Sequence, residues 1–206
     1  MVLFQKYGLE SKPIFKYFNL TNYEFQSHLH RAFEIVIVKQ GTANITIEQI
    51  SHHLSSKKTN CAVIFPNQIH SLSIPEGSEA TIVLFSPELV GSFTEQYINH
   101  VLESPTINIQ LDFDTLNLSN IYLIKSVLYN LLGNFVKQST FITQKTSFKL
   151  EMVFAIIQYI NLNYSNECTL ELASSKIGYN YEYLSKLFNN VMQESYSNYL
   201  NNFRIS

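Results

Sequence analysis

The sequence predicts an α+β chain: an N-terminal antiparallel β-barrel, then helices, then an all-α helix-turn-helix segment at the C-terminus. Three observations predict it. Short apolar runs separated by turn residues follow one another from Phe15 to about Phe85, the pattern of an antiparallel sandwich or barrel. Beyond Ser119 apolar residues recur every three or four positions, as they do in helices. Near the end, Gly178 stands between two short amphipathic stretches, as in two helices joined by a corner.

Taken in order, residues 15–20 form a first strand, and Phe33-Glu-Ile-Val-Ile-Val38 a denser, more buried one. Gln40-Gly41 turns the chain into residues 42–48, where Ala43, Ile45 and Ile47 alternate with polar neighbours on a half-buried strand. Residues 61–65 make another strand, broken by Pro66-Asn67, and residues 70–74 and 80–85 follow as two more. Ser86-Pro87-Glu88 starts a helix predicted to reach about Leu102. Ser119 is placed to cap a long helix whose Ile121, Ile124, Leu128, Leu131 and Phe135 form one stripe. Either the barrel or a second copy of the helix must cover that stripe. Residues 133–147, rich in Gly, Asn, Gln, Ser and Thr, read as a linker. A helix from Phe148 to Asn163 then packs Ile156, Ile157 and Ile160 under the terminal segment. The domains that follow are a barrel over 1–103, a helical arm over 104–145 and a helix-turn-helix segment over 146–206.

Composition excludes several classes. At 206 residues and 46% hydrophobic, the chain can build a real core, and no apolar run reaches transmembrane length, so no membrane partner is expected. The first residues lack the basic and apolar regions of a signal peptide, which points to the cytoplasm. Cys61 and Cys168 have neither disulfide-framework nor zinc-site spacing and read as reduced thiols. No nucleophile–base arrangement or phosphate-cradling glycine loop is legible, so no catalytic residue, no cofactor and no enzymatic activity is expected.

In the terminal segment Thr169 is an N-cap, Leu170, Ala173 and Ile177 share a face, and Gly178 supplies the left-handed stop. Asn180 caps a second helix with Leu184, Leu187, Phe188 and Val191 inside and Glu182, Ser185, Lys186 and Asn189 outside. This is the plan of a DNA-reading helix-turn-helix, and equally of a structural helical hairpin. Tyr179, Tyr183, Tyr196 and Tyr199 are spaced for helix packing, not for stacking on bases. Within 165–206 three basic residues (Lys176, Lys186, Arg204) meet four acidic ones (Glu167, Glu171, Glu182, Glu194). Phosphate neutralisation supplies most DNA affinity, so tight binding by the chain alone is not expected.

The residues say more than the pattern. Leu170-x-x-Ala173, Gly178-Tyr179, Tyr183-Leu-Ser-Lys-Leu-Phe188 and Tyr199-Leu-x-x-x-Arg204-Ile205 closely resemble the first of the two helix-turn-helix units of AraC/XylS-type transcription regulators. In that family the last helix continues into a linker and a second helix-turn-helix. Here the sequence stops at Ser206, so half of such a domain is expected, as a fragment or a natural truncation. The resemblance implies double-stranded DNA as partner, with Glu182, Ser185, Lys186 and Asn189 at base edges and Tyr181 beside the backbone.

A second constellation is His28-x-His30-x-x-x-Glu34 followed by His70. On a continuous strand the first three share parity, and with His70 from a neighbouring strand they converge inside the barrel. Three imidazoles and a carboxylate suit a first-row metal, or else hydrogen-bonded pocket or core histidines. Over roughly residues 15–90 the arrangement resembles the two motifs of cupin barrels, the usual sensor domain of AraC-type regulators. It departs from metal-binding cupins at Gln68, where a Gly is usual, and in having no Gly six residues before His28. Family members often keep this skeleton without a metal, so His28, His30, Glu34 and His70 are read as lining a small-molecule effector pocket, with no metal. The expected function is a DNA-binding regulator, homodimeric through 119–136. The alternatives are a sensor and dimerisation protein without independent DNA binding and, more distantly, a metal-dependent cupin enzyme.

Overall fold

The computed structural model describes residues 3–4, 14–143, 148–192 and 194–205. They fall into two compact units, Gln5–Gln144 and, counted with Met1–Phe4, Lys145–Ser206. The first strand, β1 (Leu3–Phe4), is two residues long. The barrel unit contains, in chain order, β2 (Phe15–Leu29), β3 (Phe33–Gln40), β4 (Thr42–Ile47), β5 (Ile50–Ser55), β6 (Cys61–Ile64) and β7 (His70–Phe85).

β7 organises the barrel. One edge pairs with β2 along its length; the other takes β4 against its first half and β3 against its second. β3 passes the sheet on to β6, and β4 to β5, giving a nearly closed antiparallel barrel. The two strands expected at 70–74 and 80–85 are thus one. Gly77, at φ +77°, lets the chain bend in a left-handed conformation without leaving the sheet. Gly41, at φ +72°, makes the β3–β4 turn, and a Cβ there would collide with Ser78, whose hydroxyl accepts the Thr42 N–H at 3.0 Å.

The unbroken apolar run of β3 has a direct cause: the strand is buried on both faces. Val36 and Val38 face the barrel interior with Ile45, Leu72, Ile74 and Ile82. Phe33, Ile35 and Ile37 face outward onto Val63, Phe85 and helix packing. Each such side chain contributes about 1.5–3 kcal/mol when fully buried.

That outer packing comes from the segment after β7. The helix expected from Ser86 to Leu102 is instead a 3-10 turn (Pro87–Val90) and a short α1 (Gly91–Gln96), followed by β8 (His100–Leu102). Asn99, at φ +58°, ends the helical course. β9 (Thr106–Ile107) extends the sheet from β6, and α2 (Ile121–Gln138) follows. Its cap is Asn120, not Ser119: the Asn120 Oδ1 accepts from Tyr122 N (2.9 Å) and Leu123 N (3.1 Å). Leu128, Leu131 and Phe135 of the predicted stripe lie in one core with Phe33 and Phe85, so the barrel unit supplies their cover, while Ile121 stays exposed. The predicted linker therefore begins too early. α2 runs through Gly133, and β10 (Phe141–Thr143) pairs with β8; residues 144–147 lie outside the described set.

The helical unit consists of α3 (Phe148–Asn163), α4 (Leu170–Ile177), α5 (Tyr181–Met192) and α6 (Tyr196–Ile205). Ile156, Ile157 and Ile160 lie in one core with Leu184, Leu187 and Phe188, as predicted. Met192 fills the place expected of Val191, which is only half-buried. Gly178 sits at φ +84°, and Ser174 O accepts from both Gly178 N (2.9 Å) and Tyr179 N (3.1 Å), which closes α4.

Candidate functional site

Inside the barrel, His28, His30, Glu34 and His70 do converge: their ligand atoms all lie within 4.8 Å of one another, and all four are buried. Strand parity is not the reason. β2 ends at Leu29, and a bend at Arg31 separates His30 from Glu34 on β3. His28 comes in because β2 slips register twice, between Thr21 and Tyr23 and again between Phe25 and His28. Phe18 and Leu20, then Tyr23 and Phe25, then His28 therefore all face one cavity despite their alternating parity. Bulges of this kind re-aim side chains next to sites. His28 ends opposite His70, with ring centroids 4.0 Å apart.

Each ring is held by a carbonyl two residues away. The Nδ1 atoms of His28, His30 and His70 lie 2.9, 3.1 and 2.9 Å from the carbonyl oxygens of Gln26, Ala32 and Gln68. The other nitrogens turn inward: Nε2 of His30 is 3.1 Å, and Nε2 of His70 3.5 Å, from Oε2 of Glu34. The His70 separation suits an ion pair but is too long for a good hydrogen bond. Burial, and then the nearby His70, push the His28 pKa down to about 4. Burial alone would raise the Glu34 carboxyl, but the hydrogen bond from His30 and the close approach of His70 outweigh it and hold the group below the ordinary carboxylate range. Glu34 is thus a buried carboxylate.

Sequence reading missed Gln68 as a contributor. It is buried, its Oε1 accepts from Phe65 N at 2.8 Å, and its backbone carbonyl orients His70. Asn67, at φ +68°, donates its N–H to His30 O at 2.8 Å and ties the two histidine loops together. The cavity in front of the cluster holds about 90 Å³ and is walled by Phe18, Leu20, Tyr23, Phe25, Leu72 and Ile82.

In the helical unit, Glu182, Lys186 and Asn189 are exposed on the side of α5 away from Leu184 and Leu187, Ser185 is half-buried, and Tyr181 is exposed at the helix start, on the same face as Leu184 and Phe188 by its spacing. Asn180 caps this helix as expected, its Oδ1 accepting from Glu182 N (2.7 Å) and Tyr183 N (3.2 Å). Tyr181, Ser185 and Asn189 border a groove of about 540 Å³ shared with Thr169 at the start of α4 and with Ser195 and Ser197 at the start of α6. Such helix starts present backbone N–H groups suited to phosphate. Of the four tyrosines expected to pack, Tyr196 and Tyr199 are buried, but Tyr179 and Tyr183 are exposed at the corner. Arg204 donates to the carbonyls of Tyr164 (2.8 Å) and Asn166 (3.0 Å).

Among the described residues no helix is long and apolar enough to cross a membrane. Residues 14–132 match the family of the AraC-like ligand binding domain. No curated protein matches the chain. Among solved structures, ToxT from Vibrio cholerae O395 bound to (E)-4-(8-methylnaphthalen-1-yl)but-3-enoic acid is 13% identical, with 91% of this chain and 98% of that chain covered and a TM-score of 0.48. Unsaturated fatty acid bound ToxT from V. cholerae strain SCE256 is 13% identical over 92% and 95%, with a TM-score of 0.47. An RmlC-like cupin from Shewanella frigidimarina is 15% identical over 34% and 65%, with a TM-score of 0.31. Likenesses this distant say nothing about what this chain binds.

Proposed function

Since the chain belongs to the AraC-type family through its ligand-binding domain at residues 14–132, we propose that it is a transcription regulator. Its barrel senses a small-molecule effector, and its helical unit reads double-stranded DNA with α5. The observation that carries this reading is the division of α5: Leu184, Leu187 and Phe188 are buried, while Glu182, Lys186 and Asn189 are exposed on the other side of a helix that follows a left-handed glycine corner. Lys186 suits a guanine edge or a phosphate, Asn189 an adenine edge, Glu182 a cytosine amine, and Ser185 either base or backbone. The effector acts only if it favours one arrangement of the chain over another. A second copy joins through α2, whose Tyr122, Tyr129 and Val136 remain exposed at seven-residue spacing.

Affinity is limited by charge. With Arg204 engaged by carbonyls, phosphate neutralisation near α5 falls to Lys176 and Lys186, which gives a slope of log K against log salt of about −2 per chain. That shortage favours the second reading, a sensor without independent DNA binding. The test is to select duplexes from genomic DNA with the purified chain at low salt and then measure Lys186→Ala. The variant is expected to weaken binding and lower the slope by about one. An unchanged affinity at every salt removes Lys186 from the interface, and a wild-type chain that selects no duplex supports the second reading.

A further inference from the structure

On the outer side of the barrel lies a second hollow that neither the histidine cluster nor α5 accounts for. Phe33 at the start of β3, Phe65 after β6, and Phe93 and Tyr97 in and just after α1 line it, together with Asn67 and Thr94. It holds about 200 Å³. Phe33 lies 5.2 Å from Phe65 and 6.0 Å from Phe93 between ring centroids, and Phe65 lies 6.0 Å from Phe93, with the rings tilted by 64°, 68° and 42°. Tyr97 is 4.9 Å from Phe93 and stacks on Phe141 at 3.7 Å, which fixes its ring. Rings tilted in this way wall a hollow from several sides, and the faces of aromatic rings carry negative potential.

The polar atoms add acceptors and no charge. Asn67 Oδ1 is buried and has no partner. The Thr94 hydroxyl donates toward Pro87 O (3.2 Å) and Val90 O (3.3 Å), which leaves lone pairs on its oxygen. A carbonyl oxygen only accepts, so the 2.8 Å contact of His100 Nδ1 with Ile98 O places a hydrogen on Nδ1 and leaves Nε2 of the neutral ring as an acceptor. Among the described residues no lysine, arginine, aspartate or glutamate lines the hollow.

These features select one class of ligand. An anion would meet acceptors and ring faces, both of which repel it. A wholly apolar ligand would leave Asn67 Oδ1 unpaired, and burying a polar atom without a partner is costly. A protonated amine suits both: its charge is attracted by ring faces within about 6 Å, and its N–H groups supply the missing donor. The volume lies below the roughly 300–1,000 Å³ of sites for drug-sized ligands, so the amine is small. Ile98, which is 65% exposed, and Pro66 offer apolar cover for an alkyl chain. We infer that this hollow binds a small primary alkylammonium ion, with an N–H on Asn67 Oδ1 and the charge against the rings of Phe65, Phe93 and Tyr97. Without a carboxylate to neutralise the ion the affinity is modest, at a Kd of about 0.1–1 mM. The site holds whether or not the chain binds DNA.

The test titrates the full chain at neutral pH with n-butylammonium, butyltrimethylammonium, butyrate and n-butanol, followed by NMR shifts of the Asn67 side-chain amide and the Thr94 and Tyr97 backbone amides. Butylammonium is expected to shift all three signals saturably. Butyltrimethylammonium keeps the charge but has no N–H, and should bind more weakly; butyrate and butanol should not saturate. Asn67 sits at φ +68°, so Asn67→Gly keeps the backbone while removing the amide, and should weaken butylammonium binding about tenfold. Tyr97→Leu should weaken it about threefold, whereas Phe25→Leu in the barrel cavity should leave it unchanged. The site is refuted if butylammonium moves none of the three signals, if butyrate, butanol or butyltrimethylammonium binds as tightly, or if Asn67→Gly binds like the wild type. Should Asn67→Gly fail to fold, the ranking of the four compounds on the wild-type chain decides alone.

Discussion

The two units put their polar chemistry in opposite places. The barrel encloses His28, His30, Glu34, Gln68 and His70 in its interior, whereas the helical unit buries no charged or imidazole side chain among the described residues. That unit keeps Glu182, Lys186 and Asn189 outside, on a helix whose inner face is Leu184, Leu187 and Phe188. An inward cluster selects something small enough to be enclosed. An outward row meets something too large to be enclosed. The difference matches a chain in which one unit senses and the other reads.

The largest effect expected from breaking this contrast comes from Phe188→Ala. Phe188 is fully buried against Tyr196 and Tyr199, and its loss costs about 3–5 kcal/mol, most of what so small a core supplies. The two cysteines report the outcome separately, since Cys61 is buried in the barrel and Cys168 in the helical core. In the variant, a thiol reagent should label Cys168 and spare Cys61, whose thiol burial pushes far above its ordinary pKa. Labelling of both would mean that the cores are not independent.

Acid should sharpen the same contrast from the other side. His28 has a folded pKa of about 4 against about 6.5 unfolded, so the unfolded chain takes up the proton first as pH falls. Stability of the barrel therefore drops between pH 6.5 and about 4, by up to ~3 kcal/mol. Glu34, also lowered when folded, adds a loss of the same sign below its unfolded value. Thermal melts across this range should show the barrel weakening and the helical unit holding. Equal loss in both, or none in the barrel, would contradict the buried neutral His28.

Much of this was legible in the sequence where local chemistry and packing agree. β3 announced burial on both faces by its unbroken apolar run, and Gly178 with Asn180 announced the corner and the start of α5. Elsewhere packing overrode local signals. Pro75-Glu76-Gly77 reads as a break, yet β7 bends through it, and Gly133 reads as the start of a linker, yet Phe135 two residues on is fully buried against the barrel. The four residues that converge in the barrel were singled out by residue type, but the route to their convergence was not. It depends on two register slips in β2 and on backbone carbonyls, neither of which leaves a periodic trace.

The central claim is that α5 meets DNA through its outward row. Amide shift mapping by NMR, with a selected duplex titrated into the chain at low salt, tests it most directly. The account predicts perturbed amides at Tyr181, Glu182, Ser185, Lys186 and Asn189 and at the starts of α4 and α6. Shifts confined to the barrel strands, with those α5 amides unmoved, would contradict it.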